Sequence, residues 1–422
     1  MENNTHNISR SDNKIIVSGG IDRKNTHYLL SQVYNAVEER GYKQIILDFE
    51  KCTAVPSSLM LSLCSYVRKY QLSEIDFRLV LPLDTLLRRL FVNSNWAHLI
   101  SPEEYDISKF KGFKQVPATQ YNTDKEQTEL LNKIVNSLIS SFSDLDRQAF
   151  AAVEWAMNEI MCNVLTHAVS PIGGIAQLTT YEKEKKRIEI IVADAGKTIP
   201  GTLVDPQKPD RDTPIKAIMA AINEGITSGV GLGNGLFGVS KICEESKGSF
   251  IIDSGPFTLI IDTNGTRYTI PSSIPISGTT VCATINCNVK NLLEKALRFG
   301  GRVHYTVDSI ENKYEVNGKD HFLVADEAES VGNRPAGQAI RLKLKNLSTW
   351  LNIRMYIDFE NPLIPSSSFL DEFLVKLIIE ETPEIFKQKY TVINVTDTII
   401  NLLERSYKQR TNESILPVLN IT

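Results

Sequence analysis

A mixed α/β fold in three parts, residues 1–113, 123–290 and 291–422, is predicted for this chain. Three observations predict it. Apolar strand-like runs alternate with amphipathic helices at both ends of the chain. Between them, two long helices precede a series of strands interrupted by one glycine-rich segment. A polar stretch, Pro117 to Gln127, reads as a linker ahead of the middle part. At roughly 100–200 residues per domain, 422 residues allow two to four domains.

The first part reads as a small βαβ unit closing near Lys111. Lys14 to Ser18 is a short apolar strand. Tyr28 to Glu39 puts Leu29, Leu30, Val33 and Val37 on one helical face and stops at Gly41. Gln44 to Phe49 is a continuous apolar run, as in a buried central strand. Ser57 to Tyr70 is expected to be helix and Phe77 to Leu81 strand.

In the middle part, one helix aligns Leu130, Ile134, Leu138 and Phe142, and a second runs from about Asp146 to Ala168. Strands are expected at 176–181 and 188–193. A polar segment with four prolines follows, then a short polar helix, 216–224. After a glycine run come strands at 248–253, 257–262, 266–270 and 279–286.

The last part repeats the theme of the first. Helices are expected at 338–351 and 366–379, and strands at 354–359 and 390–395. An internal echo links the two ends. Ile46-Leu47-Asp48-Phe49-Glu50 precedes Val55-Pro56-Ser57-Ser58, and Tyr356-Ile357-Asp358-Phe359-Glu360 precedes Ile364-Pro365-Ser366-Ser367. Matched letters in matched context predict one domain type used twice.

Composition excludes several classes. The net charge of −4 gives no basic field for nucleic acid or an anionic membrane surface. No apolar run approaches the roughly 20 residues that span a bilayer. The polar N-terminus has no signal-peptide core. Six scattered cysteines without a CxxC pair argue against zinc and for a reducing, cytoplasmic setting, with each cysteine a small buried hydrophobe.

Three motifs carry chemistry. Glu159, Asn163 and His167 recur every four residues and share one helix face, while Phe150, Val153, Met157, Ile160 and Val164 are apolar. An Asn side-chain oxygen can ligate Mg²⁺. A Glu one turn earlier can orient or deprotonate water near a terminal phosphate. Next, the strand Ile188 to Ala193 ends in Asp194-Ala195-Gly196. A carboxylate there can accept from an adenine amino group, and Gly196 permits close backbone approach; Asp-x-Gly also suits an ordinary turn. Finally, Gly229, Gly231, Gly233, Gly235 and Gly238 precede an apolar helix, so bare amides and the helix dipole can cradle phosphates. A dinucleotide fingerprint needs a strand before the first glycine, and polar helix stands there instead. A P-loop needs Gly-Lys-Ser/Thr, which does not follow.

In this order the motifs resemble the GHKL ATPase superfamily, over about Thr123 to Asn288, ending on the strand that starts Gly278-Thr279-Thr280. Among them the anti-sigma-factor serine kinases are similar in carrying His four residues after Asn. The resemblance implies a GHKL α/β sandwich binding ATP and Mg²⁺. It places Asn163 on the metal, Glu159 as catalytic base and Asp194 on adenine. His167, Gly196, Thr279, the lid from Lys197 to Thr227 and the glycines then enclose the nucleotide. Lys208 and Arg211 in the lid either reach phosphate or are solvated.

Leu47-Asp48-Phe49 and Pro56-Ser57-Ser58-Leu59 resemble STAS domains, the fold of anti-sigma-factor antagonists. Pro56 and Leu59 replace the family's Asp and Gly. Ser58 takes the phosphorylated position, with helix capping as the alternative role. The C-terminal part resembles an uncharacterised STAS-like family through Arg334-Pro335-Ala336-Gly337, Ile357-Asp358-Phe359 and Pro365 to Glu372, with Ser367 in the serine position. Capping explains Asp371 and Glu372 there. The whole is then a GHKL α/β sandwich flanked by two small STAS-like βα domains.

Two functions with turnover follow from the resemblance. One is a regulatory ATPase or serine kinase whose nucleotide state controls docking of STAS-like modules or a STAS-type partner. The other is a GHKL conformational clamp in a stress or phage-defence system, hydrolysing ATP without phosphorylating protein. A nucleotide-sensing scaffold without turnover is a third. A phosphohistidine relay does not fit, because no His lies between Lys125 and Phe142. The sequence leaves a homodimer open.

Overall fold

A computed structural model describes residues 7–108, 114–181, 186–226, 233–269, 274, 276–303, 308–310, 320–328, 330–360 and 364–419. The fold is mixed α/β. It divides into two compact units. One comprises Met1–Phe110, Gln115–Ile134 and Ala152–His304; the other comprises Lys111–Lys114, Val135–Ala151 and Tyr305–Thr422.

In the first unit, the N-terminal part is built on a four-stranded sheet. Lys14–Val17, Gln44–Asp48 and Asp76–Val80 run parallel, and Ile8–Ser11 pairs antiparallel at one edge. Two further helices, Thr85–Asn93 and Trp96–Ile100, had no clear periodic signal because each is short. Asp84 caps the first through its side chain, which accepts from the Leu87 amide at 2.8 Å.

The rest of the first unit is a seven-stranded antiparallel sheet. Its order is Gly265–Thr269, Phe257–Asp262, Ser249–Ser254, Thr279–Asn286, Arg187–Asp194, Gly174–Tyr181 and Gln115–Tyr121. The stretch expected as a linker thus supplies the edge strand. Val116, Ala118 and Tyr121 are buried there among polar neighbours, so burial rather than overall polarity decided its fate.

Alternation along the central strands gives the sheet two working faces. Val192, Asp194, Thr279 and Val281 line a cavity on one face. Ile191, Ala193 and Cys282 belong to one continuous apolar core with the N-terminal part on the other. The helix Ser57–Gln71 covers that second face, where Ser62 Oγ and Thr280 Oγ1 lie 2.8 Å apart. Lys69 donates to Ser277 Oγ at 2.7 Å, and Asn95 to the Ala118 carbonyl at 2.8 Å.

Trp96 is 0% exposed, stacks edge-on with Phe91 at 5.5 Å between centroids, and donates from Nε1 to Gln177 Oε1 at 2.8 Å. Replacing it by Ala leaves a large cavity at this shared core. The expected cost is about 3–5 kcal/mol, which thermal melting would register as a transition lowered by roughly 10 °C.

In the second unit, a three-stranded parallel sheet has Met355–Asp358 between His321–Leu323 and Tyr390–Ile393. The helix Arg334–Leu351 packs nearby, capped by Asn333, and Asp397–Thr411 is a helix that sequence periodicity did not reveal. Asp371 and Glu372 do more than complement a helix dipole. Arg334 and Arg410 both donate to Asp371, at 2.8 and 2.7 Å, and Arg341 reaches Glu372 at 2.9 Å.

The internal echo is realised in backbone geometry. Asp48 and Asp358 each end the middle strand of three parallel ones. Each carboxylate accepts from the amide two residues on, Glu50 at 2.9 Å and Glu360 at 2.8 Å. Helices then begin at Ser57 and Ser367.

Candidate functional site

The helix Arg147–Asn163 continues as one π-helical turn, Val164–Ala168, and ends with Val169 in the left-handed conformation. Its apolar residues Phe150, Val153 and Met157 are buried away from the cavity, while Ile160 and Val164 contribute to its wall. The row Trp155, Glu159, Asn163 and His167 therefore faces the other way, along a cavity of about 570 Å³ in the first unit. The size suits a small ligand.

Asp194 enters the same cavity from the end of its strand. It is 5% exposed, and its Oδ1 accepts from the Gly196 amide at 2.7 Å. Burial raises its pKa to about 7, against the opposing effect of the Gly196 and Thr279 amides. Burial also raises the Glu159 carboxyl above the usual carboxylate range and lowers His167, which favours a neutral imidazole. Among the described residues, no hydrogen bond occupies the Glu159 or Asn163 side chain.

Gly233, Asn234, Gly235 and Leu236 form the opposite wall, at the start of the helix Gly235–Glu245. A Cβ on Gly235 would lie 2.6 Å from Glu159 Oε2 and 3.6 Å from Asn163 Nδ2. Gly233 has φ +71° and abuts the Ile226 backbone, so no side chain fits there without strain. The result is a narrow cradle that a side chain would fill, opposite a Glu and an Asn.

The cavity thus gathers Glu159, Asn163, His167, Asp194, Gly233, Gly235 and Thr279. Gly196 and Gly238 are placed differently. A Cβ on Gly196 would come within 2.1 Å of the Ala168 carbonyl oxygen, and one on Gly238 within 2.4 Å of the Trp155 ring. Both glycines allow protein to approach protein rather than lining the cavity. Gly229 and Gly231 lie outside the described residues. In the lid, Lys208 pairs with Asp205 at 3.9 Å and Arg211 is buried; neither lines the cavity. Among the described residues, Lys197 is the one Lys or Arg on its wall.

Trp155, Lys197 and Phe299 are wall residues that sequence reasoning missed. Trp155 had a signal, since it stands one turn before Glu159 on the same face. Phe299 had none, because it arrives from a segment distant in sequence. Cys162 also departs from expectation: it is exposed on the cavity wall, whereas the other five cysteines are buried.

The donor set suits Mg²⁺. Among the described residues no group of three or more His, Cys, Asp or Glu could hold a metal alone. One Asn side chain on the cavity wall could offer its amide oxygen as a single ligand and leave the remaining positions for phosphate oxygens and water, as Mg²⁺ prefers. Among the described residues, no helix is long and apolar enough to cross a membrane.

Comparison with known proteins agrees with this geometry. No curated protein and no solved structure matches the chain. Residues 121–237 match the family model of the histidine kinase-like ATPase domain, a span that includes Glu159, Asn163, Asp194 and Gly235. The match supports a histidine kinase-like ATPase domain within residues 121–237.

Proposed function

We propose that the cavity binds ATP with Mg²⁺ and that nucleotide state regulates the remainder of the chain or a protein partner. The carrying observation is the arrangement on one cavity of a buried carboxylate, Asp194, and a helix row holding Asn163 and Glu159 beside the glycine cradle. Asp194 reads the adenine amino group, Thr279 and His167 flank the nucleoside, and Gly233 and Gly235 admit the phosphates. Asn163 holds the metal, whose charge offsets that of the phosphates, and Glu159 orients water. Residues 1–113 and 291–422 act as STAS-like modules that flank the ATPase domain of 123–290 in sequence, with Phe299 of the last part lending a side chain to the cavity wall.

Between hydrolysis and serine phosphorylation, one observation favours hydrolysis. Ser58 is 4% exposed, and its carbonyl accepts from Ser62 Oγ within the helix that covers the back of the sheet. A hydroxyl buried there is poorly offered to any γ-phosphate. Ser367 is exposed at the start of its helix, and a separate STAS-type protein is the other acceptor for a kinase reading.

Asp194→Asn tests the nucleotide reading. One acceptor oxygen becomes a donor, so ATP affinity should fall by about 10- to 100-fold while GTP affinity changes little. The wild type should bind ATP more tightly as pH rises through about 7, because the ionised carboxylate is the better acceptor. The variant should lose that dependence. Equal wild-type affinity for ATP and GTP, measured by calorimetric titration, would remove adenine recognition from Asp194.

A further inference from the structure

The cavity has a direction. Gly196, next to Asp194, meets the Ala168 carbonyl at one end of the helix row, while Trp155 stands 13 residues earlier, about 20 Å along the helix. Between them lie Asn163 and Glu159. A nucleotide whose adenine meets Asp194 therefore points its terminal phosphate towards Trp155. This orientation rests on the function proposed above.

What closes that end comes from a later segment. Leu292–Ala296 forms a short helix, and Arg298–Phe299 pairs with Arg302–Val303 as a hairpin turning through Gly300 and Gly301, both at positive φ. Phe299 lines the cavity, 6.4 Å from the Trp155 ring and 6.2 Å from the Phe237 ring, centroid to centroid. The Gly300 amide donates to Glu224 Oε1 at 2.6 Å, which ties the hairpin to the end of the lid. Leu297 packs beside Gly238, whose missing side chain leaves room for both Leu297 and Trp155. The terminal-phosphate end is thus walled by aromatic carbon.

We infer that this hairpin sets the acceptor. With Phe299 and Trp155 in place, a water beside Glu159 can reach the γ-phosphorus, and a hydroxyl carried on a larger molecule cannot. The water oxygen bonds to the γ-phosphorus. The bond from that phosphorus to the β–γ bridging oxygen breaks, with its electron pair left on ADP. The water proton passes to the Glu159 carboxylate and leaves with the product phosphate. Among the described residues, the apolar wall offers that water few hydrogen-bond partners besides Glu159 and the phosphate, which holds it in line.

Full-length wild type, Phe299→Ala and Phe299→Leu should be compared with Mg²⁺ and γ-labelled ATP, in the presence and absence of molar ethanol. ATP affinity is measured separately. The wild type should release label only as inorganic phosphate. Phe299→Ala should keep affinity within about threefold, hydrolyse about tenfold more slowly, and yield ethyl phosphate from ethanol. Phe299→Leu, which keeps apolar bulk, should restore most of the preference for water. Label on a protein hydroxyl with the hairpin intact would overturn the inference. So would identical product partition in all three proteins. A wild type that binds no ATP would instead fail the nucleotide reading itself, and the affinity measurement distinguishes the two.

Discussion

Asn163→Ala should weaken Mg²⁺-dependent ATP binding by about 100-fold or more, with little change in thermal stability. The residue sits in the middle of the helix row, half-buried on the cavity wall, opposite Gly235. Among the described residues its side chain has no hydrogen bond whose loss would destabilise the fold. Removing it should therefore cost the ligand and not the protein. Metal-free binding should be weak in both proteins, so the difference between them should appear only when Mg²⁺ is added. Titration at matched nucleotide and varied Mg²⁺ measures this directly. Unchanged Mg²⁺ dependence with an intact melting curve would take the metal away from Asn163.

Glu159→Gln should keep ATP binding and lower turnover by about 10²- to 10⁴-fold, the usual contribution of a positioned general base. The amide preserves size and most of the contacts, so the change isolates proton transfer and water orientation. Burial raises the wild-type carboxyl, and the ionised form is the base. Wild-type turnover should therefore rise with pH and level off above the raised pKa, at a midpoint above the ordinary value of about 4.3. The variant should lose this limb of the profile. A stopped-time phosphate assay across pH decides the matter. A variant that turns over at the normal rate would make Glu159 structural.

The two variants divide the site by chemical role. Asn163 is asked for affinity, so its loss should appear in binding before any chemistry occurs. Glu159 is asked only for the transition state, so its loss should appear in turnover at saturating nucleotide. The proposed γ-phosphate end is asked for a third role, exclusion, by side chains with no charge at all. Phe299 and Trp155 line that end of the cavity with aromatic rings.

Local sequence determined a good deal of this protein. Four-residue spacing fixed the row Glu159, Asn163 and His167, because 3.6 residues per turn leave such residues on one face whatever surrounds them. Alternation and apolar runs fixed most strands of the three larger sheets, and the repeated Asp-Phe-Glu turns at Asp48 and Asp358 reappear as the same amide-to-carboxylate hydrogen bond. The Asp194-x-Gly196 turn was legible as a strand end, since Asp and Gly favour turns on local grounds.

Contacts between distant segments decided the rest, and local propensity carries no information about those. Whether Pro117 to Tyr121 became linker or edge strand depended on a partner, Gly174–Tyr181, that no local pattern names. Gly196 and Gly238 looked like ligand-facing glycines, yet tertiary packing spends their missing side chains on Ala168 and Trp155. Ser58 holds the serine-loop position in sequence, and its burial came only with the packing of its helix on the seven-stranded sheet. Phe299 reaches the cavity only because the chain returns to it about 140 residues after Glu159. Spacing along one helix is set by covalent geometry. Which surface that helix meets, and which aromatic ring closes the end of the cavity, is set by burial of apolar area across the whole unit.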